Sequence, residues 1–130
     1  MVSILIISLK MEAYLRKLHK HDLTHEVSVQ SYYVWTFFDA NQPMSFRNVK
    51  NPSKDYNVVI NDITDPRFGG QFKAIYRAEG PKIGDFLLIC KLGARRYSLE
   101  LIKQTSMKHA DLKAKFDICN RADRHAIIEM

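Results

Sequence analysis

The stretch DFLLICKLGARRYSLELIK, residues 85–103, decides the fold class that the sequence predicts. Its first half, Asp85–Leu92, is almost continuously apolar, and its second half, Arg96–Lys103, alternates apolar with polar residues. The Gly-Ala-Arg triplet at 93–95 is typical of a tight turn, so the stretch predicts an antiparallel hairpin. The alternation places Tyr97, Leu99 and Leu101 on one buried face.

Short strands also dominate the rest of the prediction. Segments rich in aliphatic, aromatic and β-branched residues are predicted as strands, namely Val2–Leu9 (or a short helix), Ala13–Leu18, Val29–Phe38, Tyr56–Asn61 and Gln71–Arg77. Residues 39–55 are predicted as loop with at most one helical turn. Leu112, Phe116 and Cys119 share helical spacing and predict one amphipathic helix near 107–120. No β-α-β alternation is present, so the pattern indicates a mainly β barrel or sandwich with antiparallel strands.

Length and composition limit the class of protein. The 130 residues make one domain, 1–130, in which 1–10 are either an N-terminal extension or part of the structure and 104–130 form a C-terminal helical segment. Two cysteines are too few for a disulfide scaffold, so a reduced, cytoplasmic setting is expected. No apolar run is long enough to cross a membrane, and we expect no membrane as a partner. The net charge of +6 favours a polyanion.

The sequence carries no recognised catalytic motif. Phosphate-binding glycine loops and the G-x-S-x-G nucleophile motif are both missing. A nuclease-like metal site would need an acid and a lysine two residues apart, whereas Glu100 and Lys103 are three apart and fall on opposite faces of a strand. Cys90 lies within an apolar run and is predicted to be core. We therefore predict no catalytic residue, no cofactor and no metal.

A cluster of basic and polar residues follows the strand Ala13–Leu18. It fits three interpretations: a solvated loop, a metal site using His19, His21 and His25, or a loop that contacts DNA. The histidine spacing matches no diagnostic metal motif, and adjacent lysines would repel a cation. We favour the DNA-contacting loop, since Arg and Lys neutralise phosphates while His, Asp and Thr reach base edges. The cluster comprises Arg16, Lys17, His19, Lys20, His21, Asp22, Thr24 and His25.

A second polar loop follows the strand Tyr56–Asn61. Taken alone it is an ordinary hairpin connection. Paired with the first loop it predicts two polar arms on one barrel, each able to enter the major groove of a duplex. Its polar and glycine residues are Asn61, Asp62, Thr64, Asp65, Arg67, Gly69, Gly70, Gln71 and Lys73.

At these loops the sequence resembles a known DNA-binding family. The run YLRKLHKHDLT, residues 14–24, is similar to the strand and first arm of the EcoRII N-terminal effector-binding domain, with Leu18, Asp22 and Gln30 in matching places. Gly84-Asp85 before an apolar strand, and the closing hairpin after it, resemble the plant B-three domains. The same pseudobarrel occurs in the site-recognition domains of restriction systems, including McrBC-like ones such as LlaJI.

The resemblance implies a seven-stranded open antiparallel pseudobarrel with one or two short helices and no catalytic activity of its own. It further implies sequence-specific binding of double-stranded DNA by a first arm at Lys17–Gln30 and a second near Asn61–Lys73, with Arg77–Lys82 as the alternative second arm. The nuclease or NTPase of such a restriction system would lie on another domain or subunit. The family's glycine after an Asp-Thr pair is missing here, where Leu23 follows Asp22.

Residue roles follow from side-chain chemistry and the resemblance. Predicted phosphate contacts are Lys17, Lys20, Arg67 and Lys73. Predicted base-reading residues are His19, His21, Asp22, Thr24, His25, Asn61, Asp62 and Gln71, and Gln30, Thr64, Asp65 and Arg77 complete the predicted DNA-binding surface. Two other interpretations stay open, namely an RNA- or single-strand-binding barrel that stacks bases on Tyr32, Tyr33 or Phe68, and a protein-interaction adaptor in a defence complex.

Overall fold

A computed structural model gives the structure of residues 11–40, 42–61, 64–119 and 124–130. Seven strands form one curled sheet, a half-barrel, in the order β4-β3-β2-β6-β5-β1-β7. The strands are β1 Glu12–Lys17, β2 Met44–Asn48, β3 Asn51–Asn61, β4 Arg67–Gly70, β5 Phe86–Gly93, β6 Arg96–Ile102 and β7 His125–Glu129. The helices are α1 Ser31–Thr36 and α2 Met107–Cys119, with short 3₁₀ turns at Lys20–Leu23, Lys73–Ile75 and Arg77–Glu79.

The predicted fold class, mainly β with seven strands and a C-terminal helix, is confirmed. The sheet is mixed rather than purely antiparallel, because β2 and β6 pair in parallel, with Phe46 opposite Tyr97. The predicted hairpin is also confirmed: β5 and β6 pair around the turn residues Ala94 and Arg95. Arg95 has a φ of 57°, the left-handed conformation that tight hairpin turns require.

Two hydrophobic layers hold the sheet. The concave face packs a largely aromatic core, including Tyr14, Phe46, Phe68, Phe72 and Tyr97, against α1. The other face of β1, β5 and β7 packs against α2, with Leu15, Phe86, Leu88, Leu112 and Phe116 buried between them. Because side chains alternate across a strand, β1 contributes Tyr14 to one layer and Leu15 to the other.

Two strand predictions hold and one cannot be compared. Ala13–Leu18 corresponds to β1, and Tyr56–Asn61 is the last part of the longer strand β3. Val2–Leu9 lies outside the described residues. None of the described helices is long and apolar enough to cross a membrane.

The prediction of a strand at Val29–Phe38 is wrong, because most of this segment is the helix α1. Tyr33, Val34, Phe37 and Phe38 face the core, whereas Tyr32 and Trp35 are exposed. Pairs of buried residues four apart follow the helical period rather than the two-residue period of a strand. Aromatic and β-branched residues on both sides of the helix concealed that period.

Two further predictions are wrong. Residues 39–55, predicted as loop, contain β2 and the beginning of β3; Met44, Phe46 and Asn48 are buried in strand alternation. Gln71–Arg77, predicted as a strand, forms 3₁₀ turns, and the strand lies just before it, at Arg67–Gly70. Phe72, Ile75 and Tyr76 are buried at helical spacing, which explains why the turn conformation is preferred there.

The C-terminal helix is confirmed at Met107–Cys119. Leu112 and Phe116 are buried as predicted, but Cys119 is exposed and His109 occupies the remaining buried position of the stripe. The segment 104–130 is not wholly helical, since β7 adds an edge strand to β1. Cys90 is half-buried, packs against the α2 layer, and has its pKa raised by burial.

Candidate nucleic-acid interface

Arg16 organises the first arm from inside the protein. It lies near the end of β1 with its side chain fully buried. Its Nε donates to the Ser28 carbonyl oxygen at 3.0 Å, and its Nη2 donates to Ser28 Oγ at 3.0 Å and to Asp22 Oδ1 at 2.8 Å. Nη1 donates to the carbonyl oxygen of Lys17. Burial lowers the pKa of Arg16, and the Asp22 charge opposes that shift. One guanidinium therefore ties the start, the middle and the end of the first arm together.

Asp22 belongs to this internal network. It is only 2% exposed; its second oxygen, Oδ2, accepts a hydrogen bond from the backbone N–H of His19 at 2.7 Å. That bond caps the 3₁₀ turn Lys20–Leu23. Both carboxylate oxygens are occupied by protein donors, so Asp22 shapes the arm and does not face a ligand, contrary to its predicted base-reading role.

The outward face of the first arm carries the remaining predicted residues. Lys20, His21, Thr24 and His25 are exposed, while His19 and Lys17 are partly buried. The imidazoles of His21 and His25 stack with their centroids 3.9 Å apart and their planes 3° apart. A shallow recess of about 430 Å³ lies beside them, lined by His19, Lys20, His21, Thr24 and Arg124.

The second arm is the β3–β4 hairpin. Asn61 pairs with Arg67 across it, and Thr64 and Asp65 are exposed at its tip. Arg67 forms an ion pair with Asp65 at 2.7 Å. Asp62 lies outside the described residues. At Gly69 an added Cβ would lie 2.2 Å from Asn61 Nδ2, so any larger residue at this position would collide with the Asn61 amide.

The two arms contact each other directly. Ser28 forms a β-bridge with Arg67, and the neighbouring backbone bonds Val29 N–Pro66 O and Phe68 N–Val27 O measure 2.9 and 2.8 Å. Between side chains, Asn61 Nδ2 donates to Glu26 Oε2 at 3.2 Å. Lys73 Nζ donates to the His25 carbonyl oxygen at 2.8 Å. The exposed residues of both arms therefore adjoin each other across the Ser28–Arg67 bridge and form one surface.

The remaining predicted residues lie at the margin of this surface or inside it. Gln71 is exposed, but its Oε1 accepts the Asn57 N–H at 2.8 Å, which turns the amide along β3. Gln30 is the N-cap residue of α1, and its backbone N–H donates to Tyr14 Oη. Arg77 is exposed in the last 3₁₀ turn, at the start of the alternative second arm.

Sequence reasoning missed three residues of the interface. Glu26 and Ser28 connect the arms, and Arg124 lines the recess beside Lys20. Neither Glu26 nor Ser28 has a local sequence signal, because its contacts are made to a distant segment. Arg124 precedes β7, a strand that follows the C-terminal helix and is placed here only by tertiary pairing with β1.

The other interpretations involve different residues. Phe68 is 1% exposed and is not available for base stacking, Tyr33 is partly buried, and Tyr32 is 66% exposed on α1. Within the described ranges, no group of three or more His, Cys, Asp or Glu side chains is arranged to hold a metal ion.

The solved structures similar to the chain include one that matches most of its length. The N-terminal domain of Helicobacter pylori LlaJI.R1 superposes with a TM-score of 0.80 at 27% sequence identity, covering 91% of this chain and 98% of that one. This supports a LlaJI-like fold, while the likeness to the EcoRII and plant B-three domains stays a prediction. No protein-family model matches the chain, and no curated protein is significantly similar to it.

Proposed function

We propose that this chain is a non-catalytic, sequence-specific double-stranded DNA-binding domain of a cytoplasmic restriction or defence protein, whose nuclease or NTPase lies on another domain or subunit. The similarity to the LlaJI.R1 domain supports a role in such a system. The observation that carries the proposal is the joining of the two arms at the Ser28–Arg67 bridge. A single duplex lying across that bridge would touch both arms.

The chemistry of the surface fits a duplex. Lys17, Lys20, Lys73 and Arg67 are positioned on or beside the arms and would contact phosphates, which supply most of the affinity. His21, Thr24, His25 and Asn61 offer donors and acceptors that suit base edges in the major groove. Asp22 is buried with Arg16, so its charge does not repel the DNA backbone directly.

Salt dependence and substitutions test the proposal. A selection on random duplexes would first define the preferred sequence. If the arms neutralise about six phosphates, log K should fall with log salt with a slope of about −5. Lys20→Ala should weaken preferred and random duplexes alike and reduce the slope by about 1. The control is Lys113→Ala, which removes the same charge from the exposed side of α2.

Discrimination between sequences is tested separately. Asn61→Ala should narrow the difference between the preferred and a random duplex by about 1–3 kcal/mol, because base contacts carry specificity. Fluorescence anisotropy titrations at fixed salt measure both affinities. If Lys20→Ala and Lys113→Ala lower the duplex affinity equally, the assignment of the arms is wrong. It is also wrong if Asn61→Ala leaves the affinity difference between the preferred and the random duplex unchanged.

A single-strand-binding function is the second candidate, favoured by two exposed aromatic residues on α1, Tyr32 at 66% and Trp35 at 58%. Such side chains stack on unpaired bases. Competition between duplex DNA and single-stranded RNA separates the candidates, since a barrel that stacks bases would release duplex DNA in favour of single strands.

A further inference from the structure

The stacked imidazoles of His21 and His25 are a pair of titratable groups on the outward face of the first arm. Their rings are parallel within 3° at 3.9 Å, and both residues are exposed. Histidine is the side chain whose charge ordinarily changes between pH 5 and 8. The pair therefore places a variable charge on the surface that we propose faces DNA.

Several hydrogen bonds hold the pair in place. The His25 backbone N–H donates to the His21 carbonyl oxygen at 2.9 Å. The Thr24 hydroxyl donates to the same oxygen at 3.3 Å and lies 2.8 Å from His25 Nδ1. The Thr24 hydroxyl therefore links the His21 backbone to the His25 ring. Lys73 Nζ fixes the His25 carbonyl oxygen from the neighbouring 3₁₀ turn.

The charged groups around the pair come from three segments. Lys20 and the imidazole of His19 lie on the first arm, Arg124 precedes β7, and Lys73 follows β4. Glu26, bonded to Asn61, is the exposed acid next to His25 in the chain. Asp22 is already paired with Arg16. Phosphates brought to this largely basic surface would favour the protonated form of a histidine by Coulomb attraction.

We propose that the His21–His25 pair takes up one proton, and not two, when the first arm binds duplex DNA, so that binding is linked to pH through this pair. The inference rests on the proposed function. The limit of one proton follows from the stacking, because two imidazolium ions at this separation repel each other. Such a pair titrates as a unit rather than as two independent sites.

Proton uptake makes duplex affinity depend on pH. Affinity should rise as the pH falls from about 8 to about 6, by up to about a hundredfold, which is the change that full uptake of one proton produces over two pH units. The slope of log K against pH should not exceed one unit per pH unit, since only one proton is taken up.

Calorimetric titrations of the full chain with its preferred duplex, in two buffers of different ionisation enthalpy, count the protons directly. Wild type should take up about one proton at most over this pH range. His21→Gln and His25→Gln should each still take up about one proton, because the remaining imidazole is no longer opposed by its neighbour. The double variant should take up none. Lys113→Gln, on the exposed side of α2, is the control and should match wild type.

The outcomes separate this inference from the proposed function. Failure of every variant and of wild type to bind duplex at low salt contradicts the proposed function itself. Normal binding with uptake of about two, one and zero protons in wild type, single and double variants indicates independent histidines and overturns the inference. Uptake that persists in the double variant assigns the proton to another group and overturns the inference as well. Circular dichroism at each pH verifies that each variant is folded.

Discussion

Arg16 is a cation with no exposed side-chain surface, and its partner Asp22 is nearly as buried. Removing water from both charges is costly, and the cost is offset only while each remains bonded to the other and to nearby polar atoms. The carbonyl and hydroxyl oxygens of Ser28 provide the additional acceptors. The pair therefore contributes a defined shape to the first arm rather than a large net stability.

Asp22→Ala should destabilise the protein by about 3–5 kcal/mol, because it leaves the Arg16 charge buried without its counter-ion. Urea unfolding followed by circular dichroism measures the change. The matched control is Asp65→Ala, which removes a carboxylate from an ion pair whose acid is 62% exposed and should cost less than about 1 kcal/mol. Equal losses for the two variants would contradict the structural role of Asp22.

His125 makes the stability of the folded protein depend on pH, independently of the pH dependence of DNA binding. Its Nδ1 accepts a hydrogen bond from Tyr14 Oη, and burial, with the nearby Arg16, Arg124 and His19, lowers the pKa of His125 to about 3. The unfolded chain takes up a proton at its ordinary pKa near 6.5, which the folded protein does not. Stability contributed by this residue is therefore complete above about pH 6.5 and declines as the pH falls towards about 3.

From about pH 7.5 to about pH 5 the free energy of unfolding should fall by about 2 kcal/mol through this residue. His125→Gln should show a smaller fall, because glutamine does not titrate. Urea unfolding at the two pH values measures the difference, with the exposed His21→Gln as control. If the free energy of unfolding of His125→Gln falls as much as that of wild type, the pH dependence comes from another group.

At the scale of elements, the hairpin β5–β6 and the helix α2 were predictable because their patterns are local. An apolar run, a short turn and a strictly alternating run define the hairpin, and Leu112 and Phe116 define the buried side of the helix. In β6 and α2 one face is exposed and the other is buried, so their hydrophobic periodicity is unambiguous, whereas β5 is buried on both faces and gives a continuous apolar run.

The helix α1 and the strand β2 were not predictable for opposite reasons. In α1 the exposed side also carries the aromatic residues Tyr32 and Trp35. The high β-propensity of the whole segment therefore outweighed its helical period, which becomes apparent only when the residues that pack on the aromatic core around Tyr14 are known. In β2 only three buried residues alternate, between a proline and a turn. A strand this short is specified by pairing with β3 and β6, which no local pattern encodes.

Both arms were predictable as polar loops, but their contact was not. Basic and polar composition marks the first arm, and the Asp-Pro and Gly-Gly pairs mark the second. Which of these polar residues turn inward depends on Arg16, because a buried guanidinium requires acceptors. That requirement places Asp22 and Ser28 inside and leaves Lys20, His21 and His25 outside.

In the whole molecule the first arm and the β5–β6 turn lie at opposite ends of the sheet. Lys17, at the arm end of β1, pairs with Phe86 at the start of β5. The second arm leaves the sheet at the turn end, because Ser45 of β2 pairs in parallel with Arg96 and Met44 pairs with Val58 of β3. The helix α2 packs on the other face of the sheet, so a duplex held by both arms would leave its C-terminal part uncovered.

Hydrogen exchange should show which part of the molecule the duplex covers. On binding its preferred duplex, the protein should exchange amides more slowly over residues 18–30 and 64–73, because both arms lose contact with water. The C-terminal part of α2, residues 112–119, should exchange at an unchanged rate. Mass spectrometry of peptides from the free and bound protein measures both. Protection of this part of α2 without protection of the arms would place the duplex on the wrong face of the sheet.

The position of β1 between β5 and β7 also governs the order in which the sheet can form. The strand β1 is synthesised long before its neighbours, because β5 begins at residue 86 and β7 at residue 125. The central strand β6 likewise pairs with β2 from a distant part of the chain. With so many long-range pairings, assembly is slow and waits until β7 has been synthesised. Until then the apolar residues of β1 have no sheet in which to be buried.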